Sequence, residues 1–500
     1  MQTTDKQTTP IKDEDQSIQS LKQVHSYIQH VFGHTDDLVI VPVWVGEIEG
    51  LLCYLKTMTS KDFIMEHVIR PISSSSLCTV DICPTIVLEQ LKDKYFGGLT
   101  SEFISHLQEI PGRLIAGNAA LLIQNADRLL MLDVKNLNTR SVEEPTTQTV
   151  VRGPKEGFTE SADTNMSLIR RRLLNENLRF EKFSLGDQSG TAVYLAYIDG
   201  GIDTEVLRKV RARLKTSKIS SLFDSGSLEE ILRPRKFSLF PTAYSSERPD
   251  SVCALLLEKR LALIVNGSPF ILVVPAVMND FFKSPEDHYQ WFAFGTFTRF
   301  LRYVSFLISL FIPSLYVAAT TYHQELIPTN LLTSIAAQRE GTPFPAVIEI
   351  LIMELTFEIL REAGTRMPRV VGQAISIVGA LVLGQAAVEA GIISNILVIV
   401  VALTAISGFV SPVYTFGANA RLLRFGVIMF ASILGLYGVI LSASFLIIHL
   451  VRLESFGYPY LSPFAPFVKN GQKDALFRLP APVPGSRQMP EEDQGNRGRS

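Results

Sequence analysis

The sequence predicts an α/β cytoplasmic head of two similar subdomains followed by an all-α helical transmembrane domain. Three observations carry this reading. Charge is unevenly spread: between Val370 and Val451 the formal charges are Glu389, Arg421 and Arg424 alone, with His449 as a titratable group. Two apolar hairpin patterns in the first part align residue for residue. The chain as a whole is apolar, with 47% hydrophobic and 19% charged residues among 500, where a soluble domain carries about 25% charge. Mean hydropathy is +0.21. The boundaries expected are a variable polar N-terminal tail at 1–37, subdomains at 38–134 and 159–290 around a linker at 135–158, a transmembrane domain at 291–454, and a largely disordered C-terminal tail at 455–500.

The N-terminal residues are polar and include Asp13, Glu14 and Asp15. No basic stretch followed by an apolar one is present there, so no signal peptide is expected. Gly117–Val134 holds two apolar runs around Gln124-Asn125-Ala126-Asp127, the pattern of a β-hairpin. Leu261–Pro275 repeats it around Asn266-Gly267, a pair suited to a type I′ turn because both residues tolerate positive φ. Ala120-Leu121-Leu122-Ile123-Gln124-Asn125 aligns with Ala262-Leu263-Ile264-Val265-Asn266-Gly267 at constant spacing, which reads as an internal duplication. Lys135–Phe158 is polar and punctuated by Pro145, Gly153 and Pro154, hence a loop. Asp163–Leu174 opens a helix that Asp163 or Thr164 can cap. Its Arg170-Arg171-Arg172 run suits a solvated face or ion pairs within the head, or else contact with anionic lipid.

Four apolar stretches read as membrane spans: Tyr303–Tyr322, Val370–Val388, Ile392–Val410 and Phe425–Val451. Twenty helical residues at about 1.5 Å each cross a hydrocarbon core of about 30 Å. Pro313 is a site for a kink in the first. Arg299 and Arg302 precede it, favouring a cytoplasmic start, and Arg366, Arg369, Arg421 and Arg424 point to cytoplasmic loops. Pro343–Arg361 is an amphipathic helix, with Glu354, Glu358 and Glu362 on one face and Ile348, Ile352, Met353, Leu355, Ile359 and Leu360 on the other. Its carboxylates form either a solvated interfacial face or a cation-attracting vestibule. The segment leaves four or five crossings open.

In Val370–Glu389, the residues Gly372, Ser376, Ala380 and Gly384 recur every fourth position, with Gln373 beside them. Such a row allows close helix packing, or lines a permeation path where Gln373 and Ser376 replace water around an ion. Glu389 sits at the mouth of that helix, as a ring of charge or an interfacial anchor.

Several classes are excluded. Forty-seven basic against 49 acidic residues give a net charge of −2, and nothing calls for a nucleic-acid partner. Gly153-Pro-Lys-Glu-Gly157 lacks the Gly-Lys-Ser/Thr ending of a phosphate loop, and neither Gly-x-Ser-x-Gly nor His-Glu-x-x-His occurs. No catalytic residue, cofactor or metal is therefore expected. The Asn266-Gly-Ser268 sequon is explained by the turn. Cys53, Cys78, Cys83 and Cys253 form no Cys-x-x-Cys pair and read as free thiols.

These residues resemble the A subunits of spore germinant receptors, the GerA family. The resemblance rests on Glu144-Pro-Thr-Thr and Val150-Val-Arg-Gly-Pro-Lys-Glu-Gly-Phe158, Asp163-Thr-Asn165 ahead of the arginine run, Arg248-Pro-Asp250 and Asn266-Gly-Ser-Pro-Phe270. It continues through Leu360-Arg-Glu-Ala-Gly364, Gly384-Gln-Ala-Ala-Val-Glu-Ala390, Ser455-Phe-Gly457 and Pro459-Tyr-Leu-Ser-Pro463. It covers about residues 95–468; the first ninety or so match poorly. Asn266 stands where many relatives carry Asp, and both suit the turn. The resemblance implies a multi-pass protein of the spore inner membrane with a cytoplasmic head. Its expected partners are a transporter-like, nutrient-binding B subunit, a lipoprotein C subunit, further copies of itself and membrane lipid. It implies a germinant-gated cation channel that triggers germination; on the reading of the residues above, Gly372, Gln373, Ser376, Ala380 and Gly384 face its pore or pack helices, and Glu354, Glu358 and Glu389 stand at a vestibule or mouth. A non-conducting scaffold, or a paralogous channel subunit that amplifies germination, is the alternative. A secondary transporter would show more spans and inverted repeats.

Overall fold

The computed structural model describes residues 18, 20–73, 83–135, 143–217, 219–233, 238–367, 384–469 and 471–478. Two compact units divide the chain. One comprises Met1–Pro145, Glu156–Ile231 and Glu247–Val273, the other Thr146–Lys155, Leu232–Ser246 and Val274–Ser500. The second therefore takes in short segments that the sequence alone assigns to the linker and the second subdomain.

In the first unit, strands β1 (Leu38–Val45), β2 (Ile48–Leu55), β3 (Ser101–Ile104), β4 (Asn118–Ile123) and β5 (Leu129–Asp133) form an antiparallel sheet in the order β1-β2-β4-β5-β3. The hairpin expected from Gly117–Val134 is β4–β5, registered from Asn118↔Asp133 to Leu121↔Leu130, and Asn125 takes the left-handed φ of 63° that its turn needs. A second sheet runs through β6 (Leu178–Leu185), β7 (Thr191–Ile198), β8 (Leu261–Val265) and β9 (Ile271–Val274) in that order. The residue alignment seen in the sequence coincides with register: Leu52 lies across from Leu121, and Leu195 across from Leu263.

The second hairpin differs from the expected two-residue turn. Five residues, Asn266–Phe270, separate β8 from β9. Only Gly267 has positive φ, 98°. Asn266 is recruited elsewhere: its Oδ1 accepts from the Ala162 N–H at 3.2 Å, and the Gly267 N–H donates to the Glu160 carbonyl at 2.8 Å. The loop thus docks on the N-terminus of the Ala162–Arg172 helix, where unpaired N–H groups seek acceptors. Ser161, rather than Asp163 or Thr164, caps that helix, accepting from the Thr164 N–H at 3.4 Å.

Arg170 from this helix is fully buried against Asp37, also fully buried, with Nη2 at 2.8 Å and Nε at 3.2 Å from Oδ2. Thr35 and Thr57 donate to the same carboxylate at 2.6 and 3.0 Å. Arg172 pairs with Glu156 at 2.7 Å. Of the readings open for the arginine run, Arg170 and Arg172 take ion pairs within the unit.

The second unit is helical: α1 (Phe292–Thr321), α2 (Ala346–Arg366), α3 (Asn395–Phe409), α4 (Tyr414–Leu434) and α5 (Leu436–Arg452). α1 packs against the other four. Two of them, α1 and α4, are long and apolar enough to cross a membrane; α3 and α5 are apolar but shorter. Phe425–Val451 is not one span. Gly435 adopts φ of 60° and breaks it, and a Cβ at Gly438 would collide with the Phe430 carbonyl, so the chain folds back there. Most of Val370–Val388 lies outside the described residues. The helices carry bulky apolar side chains outward, with Ile399 65%, Ile406 65% and Ile433 67% exposed.

Part of the tail expected to be disordered packs on this unit. Ser455 donates to the Thr242 carbonyl at 2.7 Å, the Tyr460 carbonyl accepts from the Met278 N–H at 2.8 Å, and Asp474 pairs with Arg299 at 3.0 Å. Arg299 and Arg302, read from sequence as flanking charges, lie within α1 and both grip Asp287, at 3.1 and 2.8 Å.

Two predictions follow from the first unit. Arg170→Leu leaves the Asp37 carboxylate buried without its cation, which costs about 3–5 kcal/mol; urea unfolding followed by Trp44 fluorescence should show the lowered midpoint. Burial pushes the Cys53 and Cys253 thiols up to about 12 from 9. Their contribution to stability is complete below pH 9 and is lost as the pH rises toward 12. Iodoacetamide at pH 8 should label exposed Cys83 and spare both until urea is added, as read by peptide mass.

Candidate functional site

The site grows from one missing hydrogen. Pro313 lies inside α1 and has no N–H, so the carbonyl of Ser309, four residues earlier, loses its helical donor. Arg424 of α4 supplies the replacement. Its Nε donates to the Ser309 carbonyl at 2.6 Å and its Nη2 to Ser309 Oγ at 2.7 Å. Its Nη1 donates to Glu354 Oε2 of α2 at 2.5 Å. One guanidinium thus ties three helices together, and both charges are buried.

Glu349 and Glu354 of α2 therefore face inward, so that of the face read from sequence as solvated or as a vestibule, Glu354 is in the interior while Glu362 reaches solvent. Glu354 is 3% exposed and Glu349 is fully buried, while Ile348, Ile352, Leu355 and Ile359 are exposed. The reason is that cations and N–H groups are available inside. Glu349 accepts from the Ser394 N–H at 3.4 Å, just ahead of α3, where the helix dipole favours an anion. Thr342 Oγ1 and Arg339 Nη2 lie 3.3 and 3.6 Å from its other oxygen. Glu358 is half-buried between Arg361 and Arg421, each at 3.3 Å. Arg361 lies over the rings of Phe357 and Phe409, at 4.9 and 4.8 Å. Glu362 pairs with Arg366 at the exposed end of the helix.

Arg421 and Arg424 belong to α4 and not to a cytoplasmic loop, because each has a carboxylate on α2. Sequence reading missed this arginine–carbonyl bond and the burial of Glu349. The signal available was a proline four residues after Ser309 together with two arginines in an otherwise apolar helix.

Gly384 is buried, and a Cβ there would lie 3.9 Å from Val398 of α3, in ordinary contact. Glu389 is exposed and accepts from Gln385 at 2.8 Å. Ala387 packs on a cluster that includes Val317, Ile350 and Leu397. Gly372, Gln373, Ser376 and Ala380 lie outside the described residues. Among the described residues no group of three or more His, Cys, Asp or Glu side chains is gathered for a metal. The arrangement is suited to holding helices and presenting charge.

Arg424→Leu should lower the unfolding midpoint of the solubilised full-length protein, because it strands the Glu354 carboxylate, a cost of about 3–5 kcal/mol. Adding Glu354→Leu should recover most of that loss. Thermal unfolding of both single variants and the double variant checks the coupling; additive losses would mean the pair is not a unit.

Comparison with known proteins gives a consistent result. The family model described as Bacillus/Clostridium GerA spore germination protein matches residues 26–489. Spore germination protein KA of Bacillus subtilis (strain 168) is 46% identical over 453 residues, covering 90% of this chain and 82% of that protein. The uncharacterized membrane protein YfkQ of the same organism is 40% identical over 431 residues, covering 86% and 83%. The crystal structure of the N-terminal domain of the A subunit of the Bacillus megaterium spore germinant receptor GerK3 is 26% identical with a TM-score of 0.43, over 53% of this chain and 98% of that one. With nearly the full length matched by the family model and by relatives of this identity, the chain belongs to the GerA family of spore germination proteins.

Proposed function

We propose that this chain is the A subunit of a nutrient germinant receptor in the spore inner membrane, its sheet-rich unit cytoplasmic and formed of two similar subdomains, its helical unit spanning the bilayer. Copies assemble into a germinant-gated cation channel, alongside a transporter-like B subunit that binds the nutrient and a lipoprotein C subunit. One observation carries the reading beyond family membership. α2 keeps Glu349 and Glu354 inside and turns Ile348, Ile352, Leu355 and Ile359 outward. Water favours the reverse arrangement; lipid favours this one, because an unpaired charge is costly there and an isoleucine is not.

In this reading Gly372, Gln373, Ser376, Ala380 and Gly384 face the permeation path. Glu358 and Glu389, which reach solvent, draw cations toward it, and Glu354 holds the helices through Arg424. A second reading, a non-conducting scaffold, is favoured by the burial of Gly384 within its own chain, where an added Cβ would meet Val398. The two differ in what a bulky side chain does. Ala380→Leu or Gly384→Leu should stop nutrient-triggered cation release from spores at unchanged receptor abundance by immunoblot. Normal release would reject the path, and planar-bilayer recording of the purified oligomer would show no current if the protein is a scaffold.

A further inference from the structure

The two sheets of the first unit are repeats, yet their outer edges are used differently. β6 is an end strand, and its edge is occupied by the segment leading into β1. The Phe180 N–H donates to Thr35 Oγ1 at 3.0 Å, and the Asp36 N–H donates to the Phe180 carbonyl at 2.8 Å. The Lys182 N–H donates to Asp36 Oδ2.

β1 is the end strand of the other sheet. Its register matches that of β6, with Leu38↔Leu55 in one sheet and Leu178↔Ile198 in the other. The hydrogen-bond phase matches too. The Lys56 N–H donates to the Asp37 carbonyl at 2.9 Å, and the Asp199 N–H to the Asn177 carbonyl at 2.8 Å. Alternate residues of an antiparallel strand turn both backbone groups inward and then outward. Ile40 therefore presents its N–H and C=O outward where Phe180 does, and among the described residues nothing bonds them. A groove of about 320 Å³ runs beside it, lined in part by Leu38, Ile40, His25 and His34. Pro42 stands where Lys182 stands in the repeat, so this edge offers two backbone bonds and no third.

The segment that fills the β6 edge has its own counterpart. Thr35-Asp36-Asp37-Leu38 corresponds to Asn175-Glu176-Asn177-Leu178. Both are held by a local side-chain bond, from Thr35 to Asp37 at 2.6 Å and from the Asn177 N–H to Asn175 Oδ1 at 2.8 Å. Glu176 is exposed. We infer that the open β1 edge at Ile40 receives Asn175-Glu176 of a second copy of this chain, as Phe180 receives Thr35-Asp36 within one chain. The Asn175 side chain accepts from the Ile40 N–H, the Glu176 N–H donates to the Ile40 carbonyl, and the Glu176 carboxylate meets the imidazole donors lining the groove. The contact is head to tail, so it continues from copy to copy rather than closing a pair on itself. Two backbone bonds do not hold an assembly alone; they set register among copies gathered elsewhere. The inference thus rests on the homo-oligomer proposed above and names the surface of the sheet-rich unit that serves it.

Cross-linking tests it in the membranes of expressing cells. One full-length copy carries Pro42→Cys, a second with a different tag carries Glu176→Cys, and both carry Cys78→Ser and Cys83→Ser. Copper-phenanthroline oxidation should give a reducible species bearing both tags, absent when either variant is expressed alone with the serine background. Ile40→Pro in the first copy should lower its yield about fivefold, the loss of one hydrogen bond, while a chain carrying only Ile40→Pro keeps its abundance. If the two-tag species is missing although the native mass is oligomeric, this contact is overturned and the oligomer stands. A monomeric mass overturns both.

Discussion

A carbonyl without a donor organises the helical unit. In a helix buried among apolar neighbours, an unsatisfied backbone group costs several kcal/mol when no water reaches it. Pro313 creates that group at Ser309, and Arg424 answers it at 2.6 Å. Importing a guanidinium into the interior creates a second demand, for an anion, and Glu354 meets it. Once Glu354 is fixed inward, the rotation of α2 about its axis is fixed as well, and Ile348, Ile352, Leu355 and Ile359 must point out. The outward apolar surface is thus a consequence of a proline on another helix.

The sheet-rich unit is built on a related device. Asp37 ends the segment that leads into β1, and it collects Thr35, Thr57 and Arg170 around one carboxylate. The Arg170 guanidinium also lies over the Phe180 ring at 5.2 Å. A short acidic stretch, Thr35 to Asp37, therefore serves both the edge of the second sheet and the buried cation of the helix that precedes that sheet. Removing either partner leaves a charge in a dry interior, which is why such pairs are far costlier to break than to replace as a unit.

What could be read from the residues follows from what periodicity encodes. The β4–β5 hairpin and the repeat in β8 were legible because alternation, turn residues and residue-by-residue alignment are local signals. α1 was legible because twenty uncharged residues have few other uses. The facing of α2 was not. A helical wheel states which residues share a face, but the solvent on each side is set by Arg424 and Arg421, which lie 70 and 63 residues from their carboxylate partners in the chain. The Gly435 break was missed for a similar reason: a glycine in an apolar run is ordinary until its φ is known. Asn266 was assigned to the turn on its own conformational tolerance, and the helix start that recruits its side chain lies a hundred residues upstream.

The same network separates the roles that three carboxylates can play. Glu354 has its acceptor committed to a buried arginine at 2.5 Å, so drawing it toward a mobile cation would strand Arg424 and reopen the Ser309 carbonyl. Glu358 is held more loosely, by two arginines at 3.3 Å each and with part of its surface in solvent. Among the described residues, Glu389 has an amide as its one partner. Of these three, Glu354 is therefore the one whose displacement would cost the bundle most. The order of burial along α2 is also an order of structural commitment, and the carboxylates that the bundle needs least are the ones most open to solvent.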